Sequence, residues 1–262
     1  MELSEYVSRL DDPLDTDAYA DVDASANGLQ VGPDGSTVEA DAERTVDHVA
    51  FAVDAAMETI DAATTAGADV LVAHHGVSWG GIDHLTGRTY DRIAALVDGE
   101  TALYVSHLPL DGHQELGNAA GVADAIGLDD RRPFGELGPV VIGTAGTLSE
   151  PTATDELRTR LDGFEGSTTD TRVLPFGPDT ITDVAVVTGS GVDWLDEAVD
   201  AGVDALVTGE GKQQVYHDAR EAGINVFLAG HYATETFGVR SLQTLTEEWG
   251  IDTTYLSHPT GL

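Results

Sequence analysis

Residues 46–76 and 181–211 align without gaps at an offset of 135. The copies agree at Val49/Val184, Ala50/Ala185, Asp61/Asp196, Ala63/Ala198, Ala66/Ala201, Gly67/Gly202, Asp69/Asp204, Leu71/Leu206, Val72/Val207 and Gly76/Gly211. Each copy reads as an apolar run, a helical stretch, an Ala-Gly turn and a second apolar run. Composition bias in an Ala-, Val- and Asp-rich chain imitates part of such a match, but shared glycines in a gapless register favour duplication. The glycine after each helical stretch suits a C-cap that needs positive φ. A strand–helix–strand unit of this kind argues for an α/β fold with right-handed crossovers.

The rest of the chain extends the same alternation. DHVAFAV (47–53), DVLVA (69–73), ALYVS (102–106), VAVVT (184–188), DALVT (204–208) and NVFLA (225–229) are short and nearly free of polar interruption, as strands buried on both faces are. Helical patterns cover about 54–66, 88–98, 114–125, 192–201, 212–222 and 234–248. Leu3, Tyr6, Val7 and Leu10 fall on one face of an opening amphipathic helix. The stretch 131–182 is rich in Pro, Gly, Ser and Thr, with a strand expected near 140–148 and a helix near 153–162. The fold class is α/β: two related α/β lobes with mixed, largely parallel sheets, divided near 128–135, so that residues 1–130 form one lobe and 131–262 the other.

Composition narrows the chemistry. Twelve Lys+Arg stand against 47 Asp+Glu, a net charge of −35 spread along the whole chain, and Lys212 is the only lysine. Such a surface repels nucleic acid and anionic membranes, so neither is an expected partner. It suits a salt-rich cytoplasm, where a Debye length of about 3 Å at molar salt screens the self-repulsion. The N-terminal MELSEYVSRLDDPLD has no basic or apolar signal-peptide region, and no apolar run reaches membrane-helix length. The expected location is the cytoplasm. The absence of cysteine removes disulfides, iron–sulfur clusters and thiol nucleophiles together, leaving N and O donors for any metal.

Ligands of open α/β sheets bind beyond the carboxyl ends of the strands, and four loops at such ends are unusual here. VAHHGVSWGG places His74 and His75 at a strand end. Neutral imidazole is the commonest metal ligand, although a lone histidine is more often structural. YVSHLPLDGH carries His107, Asp111 and His113; an aspartate in a turn is a ligand or a cap. FLAGHYATET carries His231, with Glu235 four residues on, a spacing that puts both on one helix face and equally suits a glutamate near a helix N-terminus. LVTGEGKQQ puts Glu210 at the repeat position of His75. It is not a phosphate loop, since GxxxxGK[ST] is absent, and TGSGVDW lacks the third glycine of GxGxxG. His74, His75, Asp111, His231 and Glu235 exceed one tetrahedral site and suit two metals with a bridging carboxylate. That is hydrolytic chemistry with no Ser or Cys nucleophile. His48, His84, His113, His217 and His258 are read as structural or solvated.

NGLQVG (27–32), VAHHGVSWG (72–80), YVSHLPLD (104–111), TGEGK (208–212) and AGHYATETFGV (229–239) together resemble the GTP cyclohydrolase I type 2 family, also called Nif-three-like or YbgI-like, over residues 3–260. The resemblance implies a Nif-three-like fold of two lobes that share one metal site, and a toroidal homohexamer. It implies two divalent ions per protomer, with His74 and His231 on one, His75 and Asp111 on the other, and Glu235 bridging. Imidazole with carboxylate admits zinc, iron, manganese, cobalt or nickel. Gln213 and Gln214 depart from the histidine often found after the lysine. The reading that follows is a metal-dependent hydrolase of a nucleotide-like small molecule, with His107 and Glu210 as candidate catalytic residues. A non-enzymatic metal-binding ring and a two-metal phosphoesterase, its phosphate held by arginines such as Arg88 or Arg92, are the alternatives.

Overall fold

The structure, a computed structural model, describes residues 1–33 and 44–262. In chain order the elements are α1 (Leu3–Leu14), β1 (Gly28–Val31), β2 (His48–Asp54), α2 (Met57–Thr65), β3 (Val70–His75), α3 (Gly87–Asp98), β4 (Ala102–Val105), α4 (Leu108–Gly112), α5 (Asn118–Ile126), β5 (Leu128–Leu137), β6 (Val140–Ala153), α6 (Thr154–Asp162), β7 (Arg172–Pro175), β8 (Thr180–Val186), α7 (Leu195–Asp200), β9 (Ala205–Thr208), α8 (Val215–Ala222), β10 (Asn225–Leu228), α9 (His231–Thr234), α10 (Thr236–Glu248) and β11 (Asp252–Tyr255). Each of the six strands and six helices expected from the apolar patterning has a counterpart, with ends shifted by a few residues. The expected helix at 192–201 is a 3₁₀ turn, Gly191–Trp194, running into α7.

The chain forms two compact units, Met1–Leu110 with Val239–His258, and Asp111–Gly238 with Pro259–Leu262. This division differs from the contiguous halves 1–130 and 131–262. The reason is pairing: β11 returns to lie parallel to β2, with Asp252 opposite His48 and Tyr255 opposite Phe51. At the other end, α5 belongs with the second unit, where its Val122, Ala123 and Ile126 join a core with Leu148, Leu161 and Val184.

The first unit is a five-stranded sheet in the order β1-β4-β3-β2-β11, parallel except for β1 on β4. Its core gathers Ala50, Ile60, Leu71, Leu96, Leu103 and Val105, all fully buried. Burying a Val, Leu or Ile side chain contributes roughly 1.5–3 kcal/mol. Leu3, Tyr6, Leu10 and Leu14 form the buried stripe of α1. The second unit is a six-stranded sheet in the order β5-β6-β8-β9-β10-β7, with β8, β9 and β10 parallel and the others antiparallel. The β5–β6 hairpin turns on Gly138 and Pro139, with Gly138 at φ 60°, the positive φ that a two-residue turn opening on glycine needs.

The repeat is visible bond for bond. Asp69 Oδ2 accepts from Asp47 N and His48 N at 2.9 and 3.0 Å, and Asp204 Oδ2 accepts from Thr182 N and Asp183 N at 2.8 and 3.1 Å. Gly67 and Gly202 take φ 68° and 70° after α2 and α7. No helix among the described residues is long and apolar enough to cross a membrane.

Candidate metal centre

In the first unit, β3 ends on His74 and His75, and β4 is followed by His107. Alternation along a strand sends the His74 and His75 rings in different directions. His74 is fully buried; His75 and His107 are half-buried. The three rings nevertheless converge, with centroids 4.6 Å (His74–His75), 5.1 Å (His74–His107) and 5.6 Å (His75–His107) apart. Each offers a ring nitrogen, and the three lie within 4.8 Å of one another.

One nitrogen of every ring is tied down. His74 Nδ1 lies 2.8 Å from the Ser106 carbonyl, His75 Nδ1 2.9 Å from Asp54 Oδ1, and His107 Nδ1 2.9 Å from Asp23 Oδ1. In each case the acceptor fixes Nδ1 as the protonated nitrogen and turns the Nε2 lone pair outward, as the outer partners of metal-binding histidines do. Strand register supplies two of these partners. Asp54 stands directly opposite His75 in the β2–β3 pair, and the backbone N–H of Ser106 donates to the Ala73 carbonyl at 3.1 Å.

Asp23 is the hub of the first unit's loops. Its carboxylate also accepts from Ser25 N at 2.8 Å, Asn27 Nδ2 at 2.8 Å and Leu108 N at 3.0 Å. Burial alone would raise its pKa, but the hydrogen bonds from His107, Asn27 and Ser25 outweigh it and hold the carboxyl below its usual range. The NGLQVG segment feeds the same loops. Asn27 Oδ1 accepts from His107 N at 2.8 Å, and Gln30 Oε1 accepts from Val77 N and Ser78 N at 2.9 and 3.3 Å. Gly76 makes room for that amide, since a Cβ there would lie 2.4 Å from Gln30 Oε1.

In the second unit the acids dominate. Asp111 and Glu235 are buried, 7% and 3% exposed, and each offers a carboxylate oxygen within 4.8 Å of the other's. Asp111 Oδ1 accepts from Asn118 Nδ2 at 2.9 Å and Thr188 Oγ1 at 3.0 Å. Gly230, at φ 96°, starts α9 so that His231 Nε2 reaches Glu235 Oε1 at 3.0 Å, the i,i+4 pair expected from the sequence. His231 Nδ1 meets Glu210 Oε1 at 3.1 Å, and Ser190 Oγ donates to the same Glu210 oxygen. The Ser190 bond is the largest influence on Glu210 and, with His231, holds its carboxyl below the usual range against burial. Burial disfavours the charged His231 ring, but Glu235 and Glu210 outweigh it and lift its pKa to about 9.

This donor set fits a metal cation. Two buried carboxylates side by side are costly unless a positive charge joins them. Glycine keeps the space open: a Cβ on Gly189 would sit 2.3 Å from Glu235 Oε1 and 3.1 Å from His231 Nε2.

Residues 1–259 match the Duf34/NIF3 (NGG1p interacting factor 3) family model. The chain belongs to the Duf34/NIF3 family. Curated relatives bear this out: a GTP cyclohydrolase 1 type 2 homolog of Halobacterium salinarum is 57% identical and one of Archaeoglobus fulgidus 44% identical, each over 100% of both chains. Among solved structures, the protein ybgI, titled as of unknown function, superposes with a TM-score of 0.87 at 33% identity, and a Thermus thermophilus protein with 0.87 at 35%, each covering 100% of both chains. The fold of this Duf34/NIF3 member is therefore the one that its relatives share.

Sequence reading missed Asp23, Asp54, Asn118, Thr188 and Ser190. Asp23 lies in the acid-rich run DTDAYADVDASAN, where nothing separates it from its neighbours. The signals that existed were register, which puts Asp54 beside His75, and the Asp-x-Ser turn in which Ser25 N bonds to Asp23. His113, expected to be structural, is a turn cap: its Nδ1 accepts from Glu115 N at 3.1 Å and Leu116 N at 2.9 Å.

Proposed function

We propose that His74, His75, Asp111, His231 and Glu235 hold two divalent metal ions per protomer, and that the protein is a metal-dependent hydrolase of a nucleotide-like small molecule. The observation that carries this reading is the set of outer partners. Ser106, Asp54 and Glu210 each fix Nδ1 of a ligand histidine, and Asn118 and Thr188 fix one oxygen of Asp111. When bound, the ions supply a Lewis acid for the attacked centre and a water acidic enough to be a nucleophile near neutral pH.

The chain's own residues do the rest. His107 does not belong to the five ligands, yet its ring stands beside His74 and His75 with Nδ1 held on Asp23. It is the candidate proton carrier, accepting or returning a proton at Nε2 while Asp23 stabilises the imidazolium. Glu210, kept as a carboxylate by Ser190, is a second acceptor for a proton or a substrate hydrogen bond and also orients His231. The metals are of the zinc, iron, manganese, cobalt or nickel class, which imidazole and carboxylate both accept. The net charge of −35 supports a salt-rich cytoplasm as the working medium, and the family resemblance supports a homohexamer.

The test is turnover of GTP beside a generic phosphodiester by metal-loaded protein in molar salt. Hydrolysis of GTP supports a cyclohydrolase-like activity; cleavage of the diester alone makes the protein a two-metal phosphoesterase. Neither reaction, with metal retained, moves it to a binding or scaffold role.

A further inference from the structure

The loop after His75 carries a feature that metal ligation leaves unused. Trp79 is 45% exposed, although its backbone is clamped. Trp79 forms an antiparallel bridge to Ser25, Ala26 N donates to Ser78 O at 3.3 Å, and Gly80 N donates to Ala24 O at 2.6 Å. Gln30 Oε1 also accepts from the backbone N–H groups of Val77 and Ser78. The indole is thus presented on a fixed support rather than on a free loop. Its ring meets His107 at 4.9 Å and 79°, and His75 at 6.0 Å.

The other tryptophans are engaged. Trp249 packs edge-to-face on Tyr6 at 5.8 Å, and Trp194 Nε1 donates to the Glu136 carbonyl at 3.0 Å. Among the described residues, no hydrogen bond engages Nε1 of Trp79. Gly80 and Gly81 follow it, at φ 66° and 94°, and a Cβ on either would meet nothing within 4 Å. The half-exposed indole leaves an apolar, flat surface beside these histidines. An aromatic face beside histidines is suited to a planar ring with polar edges, because stacking tolerates polar edges and desolvates only faces.

We infer that Trp79 is the stacking platform for the planar heteroaromatic ring of the substrate and so determines its specificity. This rests on the reading of the substrate as nucleotide-like. Stacking on Trp79 would hold the base beside His107 and His75 while the indole N–H stays available to a ring acceptor.

The test uses metal-loaded protein in molar potassium chloride, with GMP and ribose 5-phosphate as probes that share a phosphate and a sugar and differ in the base. GMP is expected to quench tryptophan fluorescence and ribose 5-phosphate is not. By equilibrium dialysis, Trp79→Ala should weaken GMP binding about tenfold, while Trp79→Phe stays within about threefold and neither changes ribose 5-phosphate binding. GMP affinity unchanged in Trp79→Ala, or no preference for GMP over ribose 5-phosphate, overturns the inference. So does a fall in molecular mass of Trp79→Ala at unchanged GMP affinity, which would make the indole a contact between copies of the chain. Binding needs no turnover, so GMP quenching in a protein that hydrolyses nothing would count against the hydrolase reading and leave the platform standing.

Discussion

The first strand–helix–strand copy ends in Ala-His-His-Gly at 73–76, and the second ends in Thr-Gly-Glu-Gly at 208–211. Their scaffolds agree down to the Asp69 and Asp204 carboxylates that cap the preceding strands. Their strand ends do not. Asp54 in the first copy orients His75, while its counterpart Gly189 bears no side chain, and the space goes to His231 and Glu235. His74 corresponds to Gly209, where a Cβ would lie 2.7 Å from the His231 Cα. One copy therefore carries its donors on the repeat itself. The other is pared back to glycine so that the following helix start can deliver them. A duplicated scaffold holds the backbone, and chemistry is free to diverge only where strands end.

Substitutions that erase this difference should have the largest effects. Gly189→Asp restores the first copy's residue in the second and drives a carboxylate into Glu235; bound metal and activity should both disappear, as metal analysis of the purified variant would show. His231→Ala and Glu235→Ala should do the same while far-UV circular dichroism stays native. Full metal retention in either variant would remove them from the ligand set.

The supporting acids come next. Asp54→Asn and Asp23→Asn should each lower metal affinity or activity about 10–100-fold, the usual cost of losing a residue that orients a ligand or a proton carrier. Glu210→Gln, whose side chain is 45% exposed, should fall below that range. Equal losses at Asp54 and Glu210 would contradict the view that the two copies orient their histidines in unequal surroundings.

The smallest effects test what the copies share. Asp69→Ala and Asp204→Ala each remove a carboxylate that accepts from two backbone N–H groups, and each should cost about 1–3 kcal/mol in denaturant unfolding, with near-equal values. A large inequality would mean that the matching caps do unequal work. Lowering salt from molar to tens of millimolar should reduce the melting temperature, because the net charge of −35 loses its screening. An unchanged melting temperature would remove the salt-rich habitat from the account.

The sequence made β2–α2–β3 and β8–α7–β9 legible because both strands of each copy are buried and apolar. The β5–β6 hairpin was only half legible. Leu128–Leu137 reads LDDRRPFGEL, exposed along half its length, so it lacks the apolar run that marked the other strands. β7 and β11 are four-residue edge strands whose pairing is set by partners far along the chain, which local pattern does not report. The ligand candidates could be read because histidine pairs at strand ends are rare. Their partners could not, because Asp23 and Asp54 are two acids among 47, told apart only by the N–H groups and rings that the fold brings to them.

The most direct measurement is the metal content of the purified protein held in molar salt, before and after reconstitution. The account predicts about two transition-metal ions per chain, the number that five N and O donors with one bridging carboxylate support. Fewer than one ion per chain after reconstitution would contradict it, and the histidine and carboxylate clusters would then need another explanation.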